Sequence, residues 1–163
     1  MKKLTQEELV AKIKKLKAEG QVDLSLEEDL SIAVMNLISL EEHFFFTAQK
    51  TGKNEYLDLL NQVRQMRKGL LGKMIGKHEG ETWCICKHLL AATMRLMEAG
   101  TKLLGDGKNS EAQDMFKKAY EIYLLFWGLR LKLIDLPDLK KTGADEAMTQ
   151  DEVLSRLLDC CKE

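Results

Sequence analysis

Pro137 is the single proline in a chain of 163 residues, and that scarcity limits the fold more than any other feature. Proline breaks a helix from within, by removing a donor and clashing with the preceding turn, so this chain has almost no internal helix breaker. No segment shows the sustained period-2 alternation, rich in β-branched residues, that marks a strand. Helix starts are written instead. Thr5-Gln6-Glu7-Glu8, Ser25-Leu26-Glu27-Glu28, Ser110-Glu111-Ala112-Gln113 and Thr149-Gln150-Asp151-Glu152 each read as a capping box. Stops fall at Gly20, Thr51-Gly52, Gly76 to Gly80, Gly105-Asp106-Gly107 and Pro137. These signals predict helices over about 5–19, 25–50, 53–75, 81–104, 110–136 and 149–162.

Four of these helices are long, similar in length and joined by short connections, which makes consecutive ones antiparallel neighbours. The expected fold is all-α, an up-down-up-down four-helix bundle with short additional N- and C-terminal helices. A single helical domain covers 1–163, with a bundle core of about 24–137, end helices of about 5–19 and 149–162, and a linker of about 138–148. With 45% apolar residues, a chain of this length buries a core without disulfides or a structural metal.

Twenty-five basic side chains face 26 acidic ones, for a net charge of −1, which argues against a dedicated polyanion binder. Apolar runs fall short of the roughly 18–20 residues of a membrane span, so none is expected. Met1-Lys2-Lys3-Leu4 leads into polar Thr5-Gln6-Glu7-Glu8 rather than a signal-peptide apolar stretch. The cysteines stand in close pairs, Cys84/Cys86 and Cys160/Cys161, which do not suit a structural disulfide. Reduced thiols point to a cytoplasmic location.

Helical periodicity places charged residues on faces that should be apolar. Leu30, Val34, Leu37, Phe44, Phe45 and Ala48 share one side of the second helix, with Glu41 in its middle. Arg67 lies within the stripe of Tyr56, Leu60, Val63, Leu70 and Met74, and Arg130 within that of Ala112, Ala119, Tyr123, Phe126 and Leu133. The fourth helix carries a broad apolar arc of Trp83, Cys86, Leu89, Leu90, Thr93, Leu96, Met97 and Leu104. Opposite it runs a second line through Cys84, His88, Ala91, Arg95 and Lys102. Buried ions demand partners, and bundle interiors are where facing side chains build ligand sites. Glu41, Arg67, His88, Arg95 and Arg130 therefore form the candidate ligand-binding layer, suited to a small anion held by arginines. The plainer reading of the same residues is a set of salt bridges that fixes helix register.

The hairpin 96–119 resembles a single tetratricopeptide repeat: Gly100, Leu103, Gly107, Ala112, Phe116 and Ala119 stand at that repeat's small, large, turn, small, aromatic and small positions. No second copy follows at a period near 34 residues. The resemblance implies close packing of two helices through small residues, and no array.

Other chemistries find less support. Cys84, His88 and Glu41 are the nearest approach to a metal set, but Cys86 points about 200° away from Cys84 on a helix, so Cys84-x-Cys86-x-His88 cannot converge. A di-iron bundle needs Glu-x-x-His motifs, and the sequence has none. Cys84 beside His88 is a conceivable nucleophile pair, without an evident oxyanion hole. Gly69, Gly72, Gly76 and Gly80 are spaced for close helix packing rather than for a phosphate loop. Neither a catalytic motif set nor a cofactor is expected. Nucleic-acid contact rests on Lys12-Ile13-Lys14-Lys15-Leu16-Lys17 and on the basic stretch from Arg64 to Lys77, which lacks interleaved aromatic residues. Phe44-Phe45-Phe46 cannot all face one core, and Leu124-Leu125 continue an apolar surface around most of the fifth helix. Phe46, Leu124 and Leu125 are the expected contacts with a protein partner or a second subunit. The sequence thus favours a binding protein that acts on a macromolecular partner as a homo-oligomer. Its rival is a bundle with an internal polar site for a small anion or a metal ion, with catalysis there left open.

Overall fold

The structure, a computed structural model, describes residues 6–18, 23–75 and 81–134. Five helices make up nearly all of it: α1 (Gln6–Ala18), α2 (Leu24–Thr51), α3 (Glu55–Ile75), α4 (Glu81–Gly105) and α5 (Asn109–Arg130). No strand occurs among the described residues. The linker and terminal helix expected beyond residue 137 lie outside the described residues, as does the glycine-flanked stretch 76–80.

Local chemistry explains the helix ends, with corrections to the sequence reading. The α2 cap is Asp23, not Ser25: in an extended conformation its carboxylate accepts from Ser25 N at 3.1 Å and Leu26 N at 3.2 Å. Ser25 is already inside the first turn. Gly52 closes α2 in the left-handed region (φ 68°), its N–H donating to Ala48 O, a conformation that costs glycine nothing. Ser110 likewise lies within α5, and Lys108 occupies the cap without a side-chain bond.

The larger correction is at the end of α5, expected near Leu136 and found at Arg130. Lys132 adopts a positive φ of 53°. Its N–H donates to Leu129 O, and Leu133 N donates to Gly128 O at 2.8 Å. That is the paired bond pattern of a Schellman stop. Gly128 makes the turn feasible, because a Cβ there would lie 2.5 Å from Ile134 Cδ1, where the chain folds back.

α2 packs chiefly on α3 and α4 chiefly on α5; the two pairs meet mainly along α2 and α4. Within the first pair Glu41 stands opposite Arg67, and Phe44 opposite Tyr56. Within the second, Phe116 covers Gly100, and Ala112 and Ala119 are buried. This is the close approach through small residues that the repeat-like spacing implies. Gly69 shows no such approach, and Gly72 sits at ordinary contact distance from Trp83.

All four long helices share one core: Val34 and Met35 of α2, Leu71 and Met74 of α3, Trp83, Cys84, Cys86 and Leu90 of α4, Phe126 and Leu129 of α5. Burial of each large apolar side chain there contributes about 1.5–3 kcal/mol. The core draws on the first half of α2 and α4 and the last half of α3 and α5, so it occupies one end of the molecule. Ala48, Val63, Ala112 and Ala119 are buried outside it. α1 is tied to the same end, where Lys12 Nζ donates to the Lys132 carbonyl.

An added Cβ at Gly100 would sit 2.6 Å from Phe116 Cε1, and a planar ring cannot yield as a flexible chain would. Gly100→Ala should therefore cost about 1–3 kcal/mol. Gly69→Ala, with nothing within 4 Å, should gain about 0.5–1 kcal/mol by restricting the unfolded chain. Urea denaturation of both variants checks the difference; equal shifts would contradict the tight contact.

Candidate functional site

Four of the five residues expected in one polar layer are distributed over three ion pairs, all anchored on α2. Arg67, only 2% exposed, reaches Glu41 with Nε to Oε1 at 2.8 Å and Nη2 to Oε2 at 3.2 Å. This bidentate geometry is the strongest form such a pair takes. Arg130 of α5 bonds Glu27 Oε1 at 2.5 Å. Arg95 of α4 bonds Glu42 at 3.4 Å, with both side chains about half exposed. His88 is exposed on α4. Three separate α2 carboxylates thus hold one arginine from each of the other three long helices. Each guanidinium is matched by its own carboxylate, which leaves the set without the surplus positive charge an anion would seek.

Glu27 is the member that sequence reasoning missed, because it was read as part of a cap. Its spacing carried the signal: Glu27, Ser31, Val34, Met35 and Ile38 follow one helical stripe. Ser31, fully buried, has its hydroxyl 2.7 Å from that of Tyr123 and also donates to Glu28 O. Oε2 of Glu27 and Nε of Arg130 are buried without a hydrogen-bond partner among the described residues, so this pair is less fully satisfied than Glu41–Arg67. Cys86 lies close enough to feel Arg130. Burial pushes its thiol up from the usual 9.0 to about 11, against the pull of that positive charge. A thiol so placed stays protonated at neutral pH and is a poor nucleophile.

The metal candidates do not converge. Cys84 is buried in the shared core, His88 is exposed, and Glu41 is engaged by Arg67. Among the described residues no group of three or more His, Cys, Asp or Glu is placed to hold a metal ion. In the two basic stretches, Arg67 is buried in its ion pair and Lys12 is engaged at the end of α5. No described helix is long and apolar enough to cross a membrane.

Apolar surface is the more pronounced feature. Phe45, Phe46, Met97 and Leu104 are 45–51% exposed, although Phe45, Met97 and Leu104 were expected in the core. The reason lies in the stripes. On α2, Phe45 falls at the angular position of Val34 and Ile38; on α4, Met97 and Leu104 fall at that of Cys86 and Leu90. Both core-facing stripes continue past the Glu42–Arg95 pair, beyond the shared core. Phe45 and Phe46 stack edge to face on each other, centroids 5.3 Å apart. Leu124 and Leu125 are also exposed, on the outer side of α5, with Tyr120 one turn earlier.

Comparison with protein-family models, curated proteins and solved structures returned no match to this chain.

If the three pairs differ as their burial implies, removal of one carboxylate should cost very different amounts. Glu41→Ala strands a buried guanidinium and should lower stability by about 3–5 kcal/mol, while Glu41→Leu combined with Arg67→Met should recover most of it. Glu42→Ala should change stability by at most about 1 kcal/mol. Chemical unfolding of the three variants reads the order, and a Glu42 effect as large as that of Glu41 would contradict it.

Proposed function

We propose that this protein is a helical interaction module that acts by binding a macromolecular partner, as a homo-oligomer. The observation that carries this reading is the half-exposure of Phe46, Leu124 and Leu125 together with Phe45, Met97 and Leu104. Single exposed apolar residues are ordinary, but runs of them along helix faces mark docking surfaces. Matched ion pairs support the register role of the charged residues and weaken the rival reading of an internal anion site.

The same reading takes the long helices as an up-down-up-down bundle within a single domain over 1–163, working in the cytoplasm. Two contacts support the topology: Glu27 pairs with Arg130 and Ser31 with Tyr123, so α2 and α5 run in opposite order. α4 turns back on α5 across residues 106–108, which sets α2 and α4 side by side in one direction.

A photoreactive amino acid placed at Phe46 or at Leu124 should crosslink a discrete protein in the native cells, and one placed at exposed Asn36 on α2 should not. Equal labelling from all three positions, or none from any, would overturn the reading.

A further inference from the structure

We infer that α1 is a docking surface for this chain's own segment 149–162. Lys12 ties α1 to the Lys132 carbonyl, where α5 has stopped and the chain turns back toward Ile134. Apart from that tie, α1 packs along none of α2–α5 among the described residues, although Ile13 and Leu16 are partly covered. One side of α1 bounds an open groove of ≈ 490 Å³, lined by Val10 and Ala11 between Glu7 and Lys14. These four residues follow the i, i+3, i+4, i+7 spacing of a single helical stripe.

At 13 residues an isolated helix is marginal in water, so α1 needs a partner along its length. Segment 149–162 has the matching chemistry: Val153, Leu154, Leu157 and Leu158 share one stripe of the helix that the sequence predicts there. Charge sets the direction. Lys12, Lys14, Lys15 and Lys17 follow one another in α1 without an acid, and Asp145, Glu146, Asp151 and Glu152 lead into the segment without a base. At the opposite ends stand Glu7 and Glu8 of α1, and Arg156 and Lys162 of the segment with Asp159 between them. An antiparallel pairing sets the acidic run on the lysines and turns Arg156 toward Glu7. The intervening residues 135–148 reach up to about 45 Å, well beyond the roughly 20 Å length of α1. Lys73, exposed near the end of α3, is the competing cation, but α3 already lies along α2. Occupied in this way, the basic side of α1 is closed to other anionic surfaces.

Two measurements on the full chain test the contact. In a carbodiimide reaction on mixed isotopically light and heavy protein, Lys14 should link to acids of 145–159 within one copy, at several-fold the yield from Lys73. Equal yields from the two lysines overturn the inference, and so do links that join light protein to heavy, which would make a second copy the occupant. By hydrogen exchange, Leu157→Asp combined with Leu158→Asp should speed α1 about tenfold or more and leave the amides around Leu90 unchanged. Val10→Asp, on the other side of the contact, should do the same. Exchange across α1 that is equally fast in wild type and in both variants overturns the inference as well.

Discussion

A carboxylate and a guanidinium taken out of water must meet each other, because either one left alone in an apolar interior costs more than most folds can spare. In this chain that requirement falls on α2 (Leu24–Thr51). Glu41 receives Arg67 of α3 in a nearly dry site, Glu27 receives Arg130 of α5, and Glu42 receives Arg95 of α4 in the open. A slip of one residue in any of these helices would rotate its arginine by about 100° and leave the carboxylate unmatched. Apolar contacts alone tolerate such slips better, since one leucine resembles another. The pairs therefore choose the register, and the apolar cluster supplies the bulk of the stabilisation.

That cluster is shorter than the helices that build it. Four helices converge around Val34, Leu71, Leu90 and Phe126, while the far halves pack within their own pairs, as Phe116 does against Gly100. Helix stripes do not end where the core ends, and Phe45, Met97 and Leu104 are what remains beyond it. The same geometry that fixes the fold at one end thus leaves an apolar seam at the other, and the functional reading follows from that surplus.

Much of the helical plan was legible in the sequence. Gly52 after a long apolar period and the Gly105-Asp106-Gly107 turn announced real boundaries, because a left-handed stop needs little more than a glycine at the right place. The end of α5 was not legible: its stop depends on Lys132 taking a positive φ and on Gly128 clearing room for Ile134, a tertiary contact that leaves no local mark. Arg67 was correctly placed on a core face, and its neighbour Glu41 likewise, since periodicity decides both. Their joint assignment to one layer failed in part: Arg95, held by the adjacent Glu42, stands at their level, but Arg130 is held at Glu27 and His88 is exposed, because periodicity gives the angle of a residue around its own helix and not its height along the bundle. Glu27 was obscured by a cap that Asp23 fills instead. Met97 was assigned to the core for the related reason that a stripe does not say how far its partner helix follows it.

Hydrogen exchange of the full chain, followed by mass spectrometry at two protein concentrations, tests most directly whether the shared core occupies one end and leaves the other open. Cooperative burial should make the amides around Val34, Leu71, Leu90 and Phe126 the slowest to exchange. Those around Phe46 and Met97 should exchange faster in dilute solution and slow as the concentration rises. Protection around Phe46 and Met97 that equals the core in dilute solution, and does not change with concentration, would contradict the account.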